Sequence, residues 1–220
     1  MKDSFLFPII FMLIMVILFV GILAIMYRVS EPKIEAYKLD SFQRQVLALM
    51  AGKIAEATAM DAAQIMADYP SSFETYILPV ELHDMDRQAF QAVVGDSVVA
   101  YCFEIKGKGL WGSMKGLIST TTDLKTIVDF AIVDQMETPG LGARIEEDWF
   151  LSQFRNRLFV QAPDADDVTK DYEFISETQE PETSNQLKRV TGATITSDSV
   201  LRMLRAEFNL IYRQMQGLKS

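Results

Sequence analysis

The run from Phe5 to Tyr27 constrains the fold of this chain more than any other segment, because it contains no charged residue and consists mostly of large apolar side chains. A helix of that length reaches about 35 Å at ~1.5 Å per residue, enough to cross a hydrocarbon core of about 30 Å. A signal peptide would have a shorter apolar region followed by a small-residue cleavage site, whereas Tyr27-Arg28 stands at the end of this run. The run therefore predicts an uncleaved transmembrane helix over 5–27, after a short tail of residues 1–4.

The charge balance and the scarcity of metal-binding residues exclude several classes of protein. Across 220 residues, 21 Lys and Arg stand against 30 Asp and Glu, and the net charge of −9 argues against a nucleic-acid binder. Cys102 is the only cysteine, so an intrachain disulfide and a cysteine metal site are excluded, and its apolar neighbours predict a small core residue. His83 is the only histidine. We predict a surface residue rather than a metal ligand, because zinc sites need three or four protein ligands.

Residues 28–70 are predicted to form a membrane-proximal helical segment. Apolar residues recur at three- and four-residue spacings between 34 and 69, interleaved with polar and charged residues. Tyr69-Pro70-Ser71-Ser72 ends the pattern, since Pro and Ser interrupt helices. Two interpretations stay open: the helix continues from the membrane span and holds the domain near the bilayer, or it is an ordinary helix packed on the core.

The remaining residues, 71–220, are predicted to form one α+β domain, with an antiparallel or mixed sheet flanked by helices and preceded by the single N-terminal transmembrane helix. Short β-like runs alternate with turn residues up to residue 134. The predicted strands are 76–80, 96–105, 114–119, 126–133, 158–160 and 172–175, and the predicted helices are 146–155 and a final helix that begins near Ser197 or Asp198. The acidic, polar residues 162–185 predict a surface excursion.

The segment Thr191-Gly192-Ala193-Thr194-Ile195-Thr196-Ser197 leads into the final amphipathic helix. The first backbone N–H groups of a helix lack intrahelical partners and lie at the positive end of its dipole, which suits a phosphate. Gly192 and Ala193 leave the backbone accessible, and Thr196 or Ser197 is predicted to cap the helix. The alternative interpretation is a capped helix after a small-residue turn, with no ligand.

The segment Glu137-Thr138-Pro139-Gly140-Leu141-Gly142 is also unusual. Pro139-Gly140 is a turn signal that places Gly140 where a positive φ is accepted. Gly142 permits a close approach of the backbone to a ligand. The carboxylate of Glu137 is predicted to hold this loop by accepting hydrogen bonds from backbone N–H groups.

A third segment, Gly107-Lys108-Gly109-Leu110-Trp111-Gly112-Ser113-Met114, combines glycines with an aromatic side chain. Trp111 is predicted either to cover the face or edge of an aromatic ligand, by stacking and excluding water, or to be a core or strand-end tryptophan. The residues alone weigh these two interpretations equally.

Together the three segments resemble those of the FMN-binding domain found in the C subunit of Na+-translocating NADH:quinone reductase and in the G subunit of the Rnf ion-translocating electron transport complex. The resemblance covers roughly residues 95–215 and the single-anchor layout. It implies that Thr194, the last threonine of a Ser/Thr-Gly-Ala-Thr motif, carries FMN as a phosphoester, received from FAD through a separate flavin transferase. The other residues that it places beside the cofactor are Thr191, Gly192, Ala193, Thr196, Ser197, Glu137, Thr138, Pro139, Gly140, Leu141, Gly142, Leu110 and Trp111.

The resemblance implies an electron-transfer subunit of a redox-driven, ion-translocating Nqr/Rnf-type complex, with no catalytic residues and no metal of its own. Its implied partners are the other subunits of such a complex, the flavin transferase and the lipid bilayer, and not nucleic acid. The chain has no dinucleotide fingerprint, so NADH and quinone sites would belong to other subunits. The Gly-Leu-Trp stretch favours the quinone-reductase branch and the short length favours the Rnf branch, so the branch and the coupled ion stay open.

Two other functions stay open. A stand-alone anchored flavoprotein would carry the same FMN and donate electrons to another reductase, and it would not copurify with multi-span subunits. A cofactor-free anchored interaction domain is favoured by one departure: the family usually has an Asp shortly before the threonine motif, where this chain has Leu187-Lys188-Arg189-Val190.

The orientation of the chain in the membrane is predicted differently by charge and by resemblance. Lys2 precedes the apolar run, whereas Arg28, Lys33 and Lys38 follow it, so the positive-inside rule alone would place the large domain in the cytoplasm. The resemblance implies a single-pass protein of the inner (cytoplasmic) membrane, with the flavin domain on the periplasmic side. We expect the second orientation, because the charge difference is small.

Overall fold

The computed structural model describes residues 6–82, 87–162 and 166–219. The predicted tail of residues 1–4 and the interpretation of His83 lie outside these residues. The contacts between residues divide the chain into two units, one up to Phe42 and one from Gln43 onward.

The first unit is the N-terminal part of helix α1, which begins at Leu6 and ends at Thr58. Most of its large apolar side chains between Leu6 and Val29 are exposed. Among the described residues, α1 is the one helix that is long and apolar enough to cross a membrane. One helix runs from the apolar run into the range of the next predicted helical segment.

In the second unit, the C-terminal part of α1 buries one apolar stripe, formed by Val46, Leu47, Leu49, Met50, Ala51 and Ile54. The helix ends before Ala59, which has a positive φ of 57°. Two short helices follow, α2 (Ala62–Ala67) and α3 (Ser71–Tyr76). The helix predicted over 34–69 is therefore interrupted before Pro70 is reached.

A six-stranded antiparallel sheet forms the centre of this unit, with its strands in chain order. They are β1 (Ile77–Val80), β2 (Ala89–Val94), β3 (Ser97–Lys108), β4 (Ser113–Thr120), β5 (Thr126–Asp134) and β6 (Arg157–Leu158). Five predicted strands correspond to β1, β3, β4, β5 and β6. Strand β2 was not predicted, although its hairpin with β3 turns at Gly95, whose φ of 61° is typical of such turns.

The segments after β5 are shorter than predicted. A 3₁₀ segment (Gly142–Glu146), helix α4 (Asp148–Leu151) and a second 3₁₀ segment (Ser152–Phe154) replace the single helix predicted over 146–155. Strands β7 (Glu173–Ile175) and β8 (Gln186–Lys188) form a small parallel pair, of which only β7 was predicted. Helix α5 (Thr194–Lys219) begins at Thr194, so its predicted start at Ser197 or Asp198 is wrong.

Helices cover both faces of the six-stranded sheet. On one face, α5 packs so closely that Met203 lies 2.8 Å from where a Cβ on Gly107 of β3 would stand. On the other face, the hydroxyl of Ser119 in β4 donates to the carbonyl of Leu49 in α1 at 2.7 Å. Cys102, opposite Ser119 in the β3–β4 ladder, is fully buried as predicted, and burial raises the pKa of its thiol. The predicted α+β class is confirmed.

Candidate functional site

Three loops that carry the sequence motifs meet around one buried carboxylate. The loops are the β3–β4 turn, the segment after β5 and the turn before α5, and the carboxylate belongs to Glu137, which is 6% exposed. The backbone N–H of Trp111 donates to its Oε1 at 3.0 Å, and the hydroxyl of Thr196 donates to its Oε2 at 2.6 Å. Glu137 was predicted to hold its own loop; in the structure it joins that loop to the other two.

Two glycines make this convergence sterically possible. A Cβ on Gly109 would overlap Oε1 of Glu137, and a Cβ on Gly142 would lie 2.8 Å from the Cβ of Glu137 and 3.0 Å from Oγ1 of Thr196. Since interiors are close-packed and real Cβ atoms do not approach other atoms so closely, any larger residue at 109 or 142 would push the loops apart. The close approach predicted at Gly142 is therefore made by protein atoms.

The segment after β5 forms the predicted tight turn. The N–H of Leu141 donates to the carbonyl of Thr138 at 3.1 Å, and Gly140 has a φ of 74°. Pro139 thus occupies the second position and Gly140 the third, as in a type II turn. Thr138, Pro139 and Gly140 are exposed, whereas Glu137 and Gly142 on either side of them are buried.

Ser197 and Thr196 do not cap α5, in contrast to the prediction. The first i→i−4 bond of the helix runs from the N–H of Ser197 to the carbonyl of Ala193 at 2.9 Å, so both residues lie within the first turn. The hydroxyl of Ser197 accepts the N–H of Val190 at 3.1 Å and donates to Ala193, which closes the preceding turn. The backbone N–H groups of the first helical residues, Thr194 to Thr196, have no intrahelical acceptor.

The hydroxyls of the threonine motif differ in accessibility. Thr194 is exposed, and no hydrogen bond engages its hydroxyl within the described ranges 6–82, 87–162 and 166–219. Thr196 is 1% exposed and its hydroxyl donates a hydrogen bond to Glu137, and Ser197 is fully buried. Thr194 therefore presents a free hydroxyl at the positive end of a long helix.

Large apolar side chains stand exposed around this hydroxyl and Glu137. The predicted residues Leu110, Trp111 and Leu141 are exposed, and Trp111 at 68% is not the core tryptophan of the alternative interpretation. Met136 and Ile195 are also exposed but were not predicted. Their signal in the sequence was an apolar residue directly beside each polar motif residue, Glu137 and Thr194.

An ion pair that was not predicted holds the other end of the turn. The guanidinium of Arg144 donates to both oxygens of Glu177, at 2.8 and 3.2 Å, and the N–H of Thr191 donates to Oε2 of Glu177 at 2.8 Å. Arg144 also contacts Glu147 and lies over the ring of Trp149. The acidic excursion is thereby attached to the threonine motif.

The charge state of Glu177 follows from these contacts. Hydrogen bonds from Arg144, and then from the N–H of Thr191, lower the pKa of this carboxyl to about 2. The folded-state pKa of Glu177 lies below its usual value of about 4.3. The contacts therefore stabilise the fold fully at a pH above about 4.3, and this stabilisation is lost as the pH falls towards 2. At neutral pH the attachment to Thr191 is fully present.

Substitution of Gly192 by alanine is expected to lower the free energy of unfolding by about 2 kcal/mol. Gly192 has a φ of 77°, which is strained for alanine, and a new Cβ would lie 3.2 Å from Cδ2 of Leu141. Gly95→Ala is the matched control, because Gly95 also has a positive φ but no atom within 4 Å of a new Cβ. We expect it to cost about 1 kcal/mol. Thermal unfolding of the detergent-solubilised chain measures both; equal losses would show that the Leu141 contact contributes nothing.

Residues 109–207 match the FMN-binding domain family. This range is slightly less than half of the chain. The matched range begins in the β3–β4 turn and ends within α5, so it contains all three loops around Glu137. The resemblance inferred from the motifs is confirmed.

Known relatives include both of the predicted branches. The chain is 36% identical over 113 residues to the G subunit of the proton-translocating ferredoxin:NAD+ oxidoreductase complex of Clostridium ljungdahlii, covering 51% of this chain and 54% of that protein. It is 27% identical over 207 residues to the G subunit of the ion-translocating oxidoreductase complex of Cereibacter sphaeroides, covering 86% and 88%. It is 30% identical over 94 residues to the C subunit of the Na+-translocating NADH-quinone reductase of Pasteurella multocida, covering 43% and 34%. The matched range thus spans about half the length of the Clostridium relative.

Two solved structures share the fold. The crystal structure of the C subunit of Na+-translocating NADH-quinone reductase from Parabacteroides distasonis has a TM-score of 0.55 at 22% identity, covering 82% of this chain and 92% of that one. The crystal structure of Shewanella oneidensis NqrC has a TM-score of 0.56 at 14% identity, covering 79% and 99%. At these identities the likeness concerns the fold alone.

The residues in the range that matches the FMN-binding domain family fit FMN chemically. A phosphate suits the free N–H groups at the start of α5 beside the exposed Thr194, and an aromatic ring system suits the exposed apolar side chains of Trp111 and Leu141. Gly192, whose φ of 77° a glycine adopts without strain, places no side chain on the turn before α5.

Proposed function

We propose that this chain is a membrane-anchored electron-transfer subunit that carries FMN as a phosphoester on Thr194, within an Nqr/Rnf-type ion-translocating complex. One observation carries the assignment of the attachment site. Of the two threonines in the first turn of α5, Thr194 has an exposed and unengaged hydroxyl, whereas that of Thr196 is buried and bonded to Glu137. Only the first is accessible to a transferase.

The attachment is a phosphoryl transfer to this hydroxyl. Oγ1 of Thr194 forms a bond to the phosphorus of the FMN half of FAD, the pyrophosphate bond breaks, AMP leaves and the hydroxyl proton passes to solvent. The N–H groups at the start of α5 hold the resulting phosphodiester, because they are free donors at the positive end of the helix. Gly192 adds no side chain of its own to the turn beside it.

The remaining residues position and shield the ring system. Trp111, Leu110 and Leu141, with Met136 and Ile195, offer apolar surface that excludes water. Glu137 holds the loops that carry them in one arrangement. When bound, FMN supplies the electron-accepting and electron-donating chemistry, and the protein supplies its position and electrostatic surroundings.

Co-production of the full chain with a flavin transferase tests this function. We expect the denatured band to fluoresce under ultraviolet light, because a covalent flavin survives denaturation. Trypsin releases residues 190–202 as one peptide, and its mass should rise by one esterified FMN. A dark band and a bare peptide mass from fully matured protein would contradict the proposal.

The subunit role rests on the relatives. The proteins of Clostridium and Cereibacter are named as G subunits of oxidoreductase complexes, and that of Pasteurella as a C subunit of a quinone reductase. We propose the same kind of assembly for this chain, with the electron donor and acceptor on neighbouring subunits. The long exposed apolar part of α1 supports a membrane location.

We propose that α1 crosses the inner membrane once and places the flavin domain on the periplasmic side. Glu180→Cys creates a reporter, since the Glu180 side chain is 87% exposed, while the native Cys102 is buried and serves as the silent background. A membrane-impermeant maleimide is expected to label this variant in intact spheroplasts and to leave the wild-type chain unlabelled. Labelling only after lysis would place the domain in the cytoplasm.

A further inference from the structure

We infer that Glu177, locked by Arg144, is a positioning residue for the transfer of FMN to Thr194. This inference rests on the proposed function and adds a residue that no motif contains. Glu177 lies in the acidic excursion after β7, outside the three loops around Glu137. It contacts the threonine motif through the backbone N–H of Thr191 at 2.8 Å.

The pair of Arg144 and Glu177 has the geometry of a rigid clamp rather than of a loose surface contact. Both carboxylate oxygens receive a guanidinium N–H, and the two side chains are only 26% and 25% exposed. Bidentate pairs of this kind fix orientation as well as distance. Arg144 is itself held by Glu147 and Trp149, so the carboxylate of Glu177 has little freedom to move.

The clamp closes the part of the attachment turn that the other contacts leave open. On the helix side, Ser197 bonds Val190 and Ala193. On the side of the β5 loop, Leu141 lies against Gly192. Thr191 stands between these anchors, is exposed, and has its N–H bonded to Glu177. Without Glu177, the backbone at Thr191 would lose this anchor, and a shift there would carry Thr194 out of line with the reacting phosphorus.

A positioning role predicts a defect in turnover rather than in recognition. Misplacement of a reacting group by about 1 Å can slow a reaction a hundredfold. Only 25% of the Glu177 side chain is exposed, so its removal changes little of the surface that is offered to a transferase. Charge alone predicts the opposite result, because removal of a negative group beside an incoming phosphate should speed the transfer.

The test measures initial rates of flavin transfer to the purified full chain, with a flavin transferase and FAD, as the chain concentration is varied. We expect Glu177→Ala to lower kcat by roughly tenfold or more with an unchanged KM. Glu177→Gln should give a kcat between those of Glu177→Ala and wild type, since its amide oxygen can still accept the N–H of Thr191 but its NH2 group cannot accept from Arg144. Arg144→Met should lower kcat in the same way as Glu177→Ala. Glu180→Gln is the matched control, because Glu180 lies in the same excursion and pairs with Lys188 at the surface.

Several results would overturn the inference: a wild-type kcat for Glu177→Ala, a rise in KM instead, or an equal loss in Glu180→Gln. If circular dichroism shows that Glu177→Ala does not fold, the rates of Arg144→Met and Glu177→Gln test the inference instead. A wild-type kcat in Arg144→Met would then overturn the positioning role. The wild-type chain separates the two proposals. If the wild-type chain incorporates no flavin, the proposed function is wrong. If wild type and Glu177→Ala incorporate flavin at the same rate, only the positioning role is wrong.

Discussion

Thr194→Ala is expected to abolish the fluorescence of the denatured chain completely, because the hydroxyl that forms the ester is removed. The substitution should leave the fold intact, since Thr194 is exposed and its side chain has no partner among the described residues. Exposed substitutions of this kind change the free energy of unfolding by about 0.5 kcal/mol or less. Ultraviolet imaging of a denaturing gel, with the thermal unfolding curve of the same sample, checks both parts.

Three controls make this result specific to one oxygen atom. Thr194→Ser restores a hydroxyl at the same place and should restore fluorescence. Thr196→Ser keeps the donor to Glu137 and should fluoresce like wild type, which makes it a sharper control than Thr196→Ala. Thr191→Ala should also fluoresce, because it keeps the backbone N–H that donates to Glu177 and removes only the additional contact of the hydroxyl. Fluorescence in Thr194→Ala, or its loss in Thr196→Ser, would move the attachment site.

Glu137→Ala is expected to lower the free energy of unfolding by about 3 kcal/mol. It leaves two donors in a buried place without an acceptor, the N–H of Trp111 and the hydroxyl of Thr196. It also creates a void where Gly109 and Gly142 approach the side chain. Thermal unfolding of the detergent-solubilised full chain measures the loss, and flavin incorporation should fall with it because the three loops separate.

Two variants calibrate that result. Glu137→Gln should cost clearly less, because its amide oxygen still accepts the N–H of Trp111 and its amide group can donate to the hydroxyl of Thr196. Glu146→Ala removes an exposed carboxylate from the adjoining 3₁₀ segment and should change stability by about 0.5 kcal/mol or less. If Glu137→Ala were as stable as Glu146→Ala, Glu137 would not be the residue that joins the loops.

Features that depend on neighbours along the chain were predictable. The apolar run predicted α1, and alternating short apolar runs between turn residues predicted β1 and β3 to β5. The turn at Pro139-Gly140 followed from the φ preferences of those two residues. The burial of Cys102 followed from its apolar neighbours. Each of these properties is set by residues within a few positions of one another.

Features that depend on partners distant in the chain were predicted poorly. The sequence predicts the start of α5 at Ser197 or Asp198, because a hydroxyl residue before an amphipathic run usually acts as a cap. In the structure, those hydroxyls bond Val190, Ala193 and Glu137, and the helix begins at Thr194. The sequence also favoured equally a Trp111 that covers an aromatic ligand and a core or strand-end Trp111, and only the fold leaves its side chain exposed.

The sequence alone therefore determined that this chain has an apolar helix and an α+β domain with FMN-binding motifs, since periodicity, turn residues and motif order are local. Only the tertiary structure decided which hydroxyl stays free, because it brings the carboxylate of Glu137 to Thr196. These two residues are 59 positions apart in the sequence. It also decided that Arg144 and Glu177, 33 positions apart, meet at the attachment turn. No periodicity records such pairs, since only the tertiary fold brings together segments that are distant in the sequence.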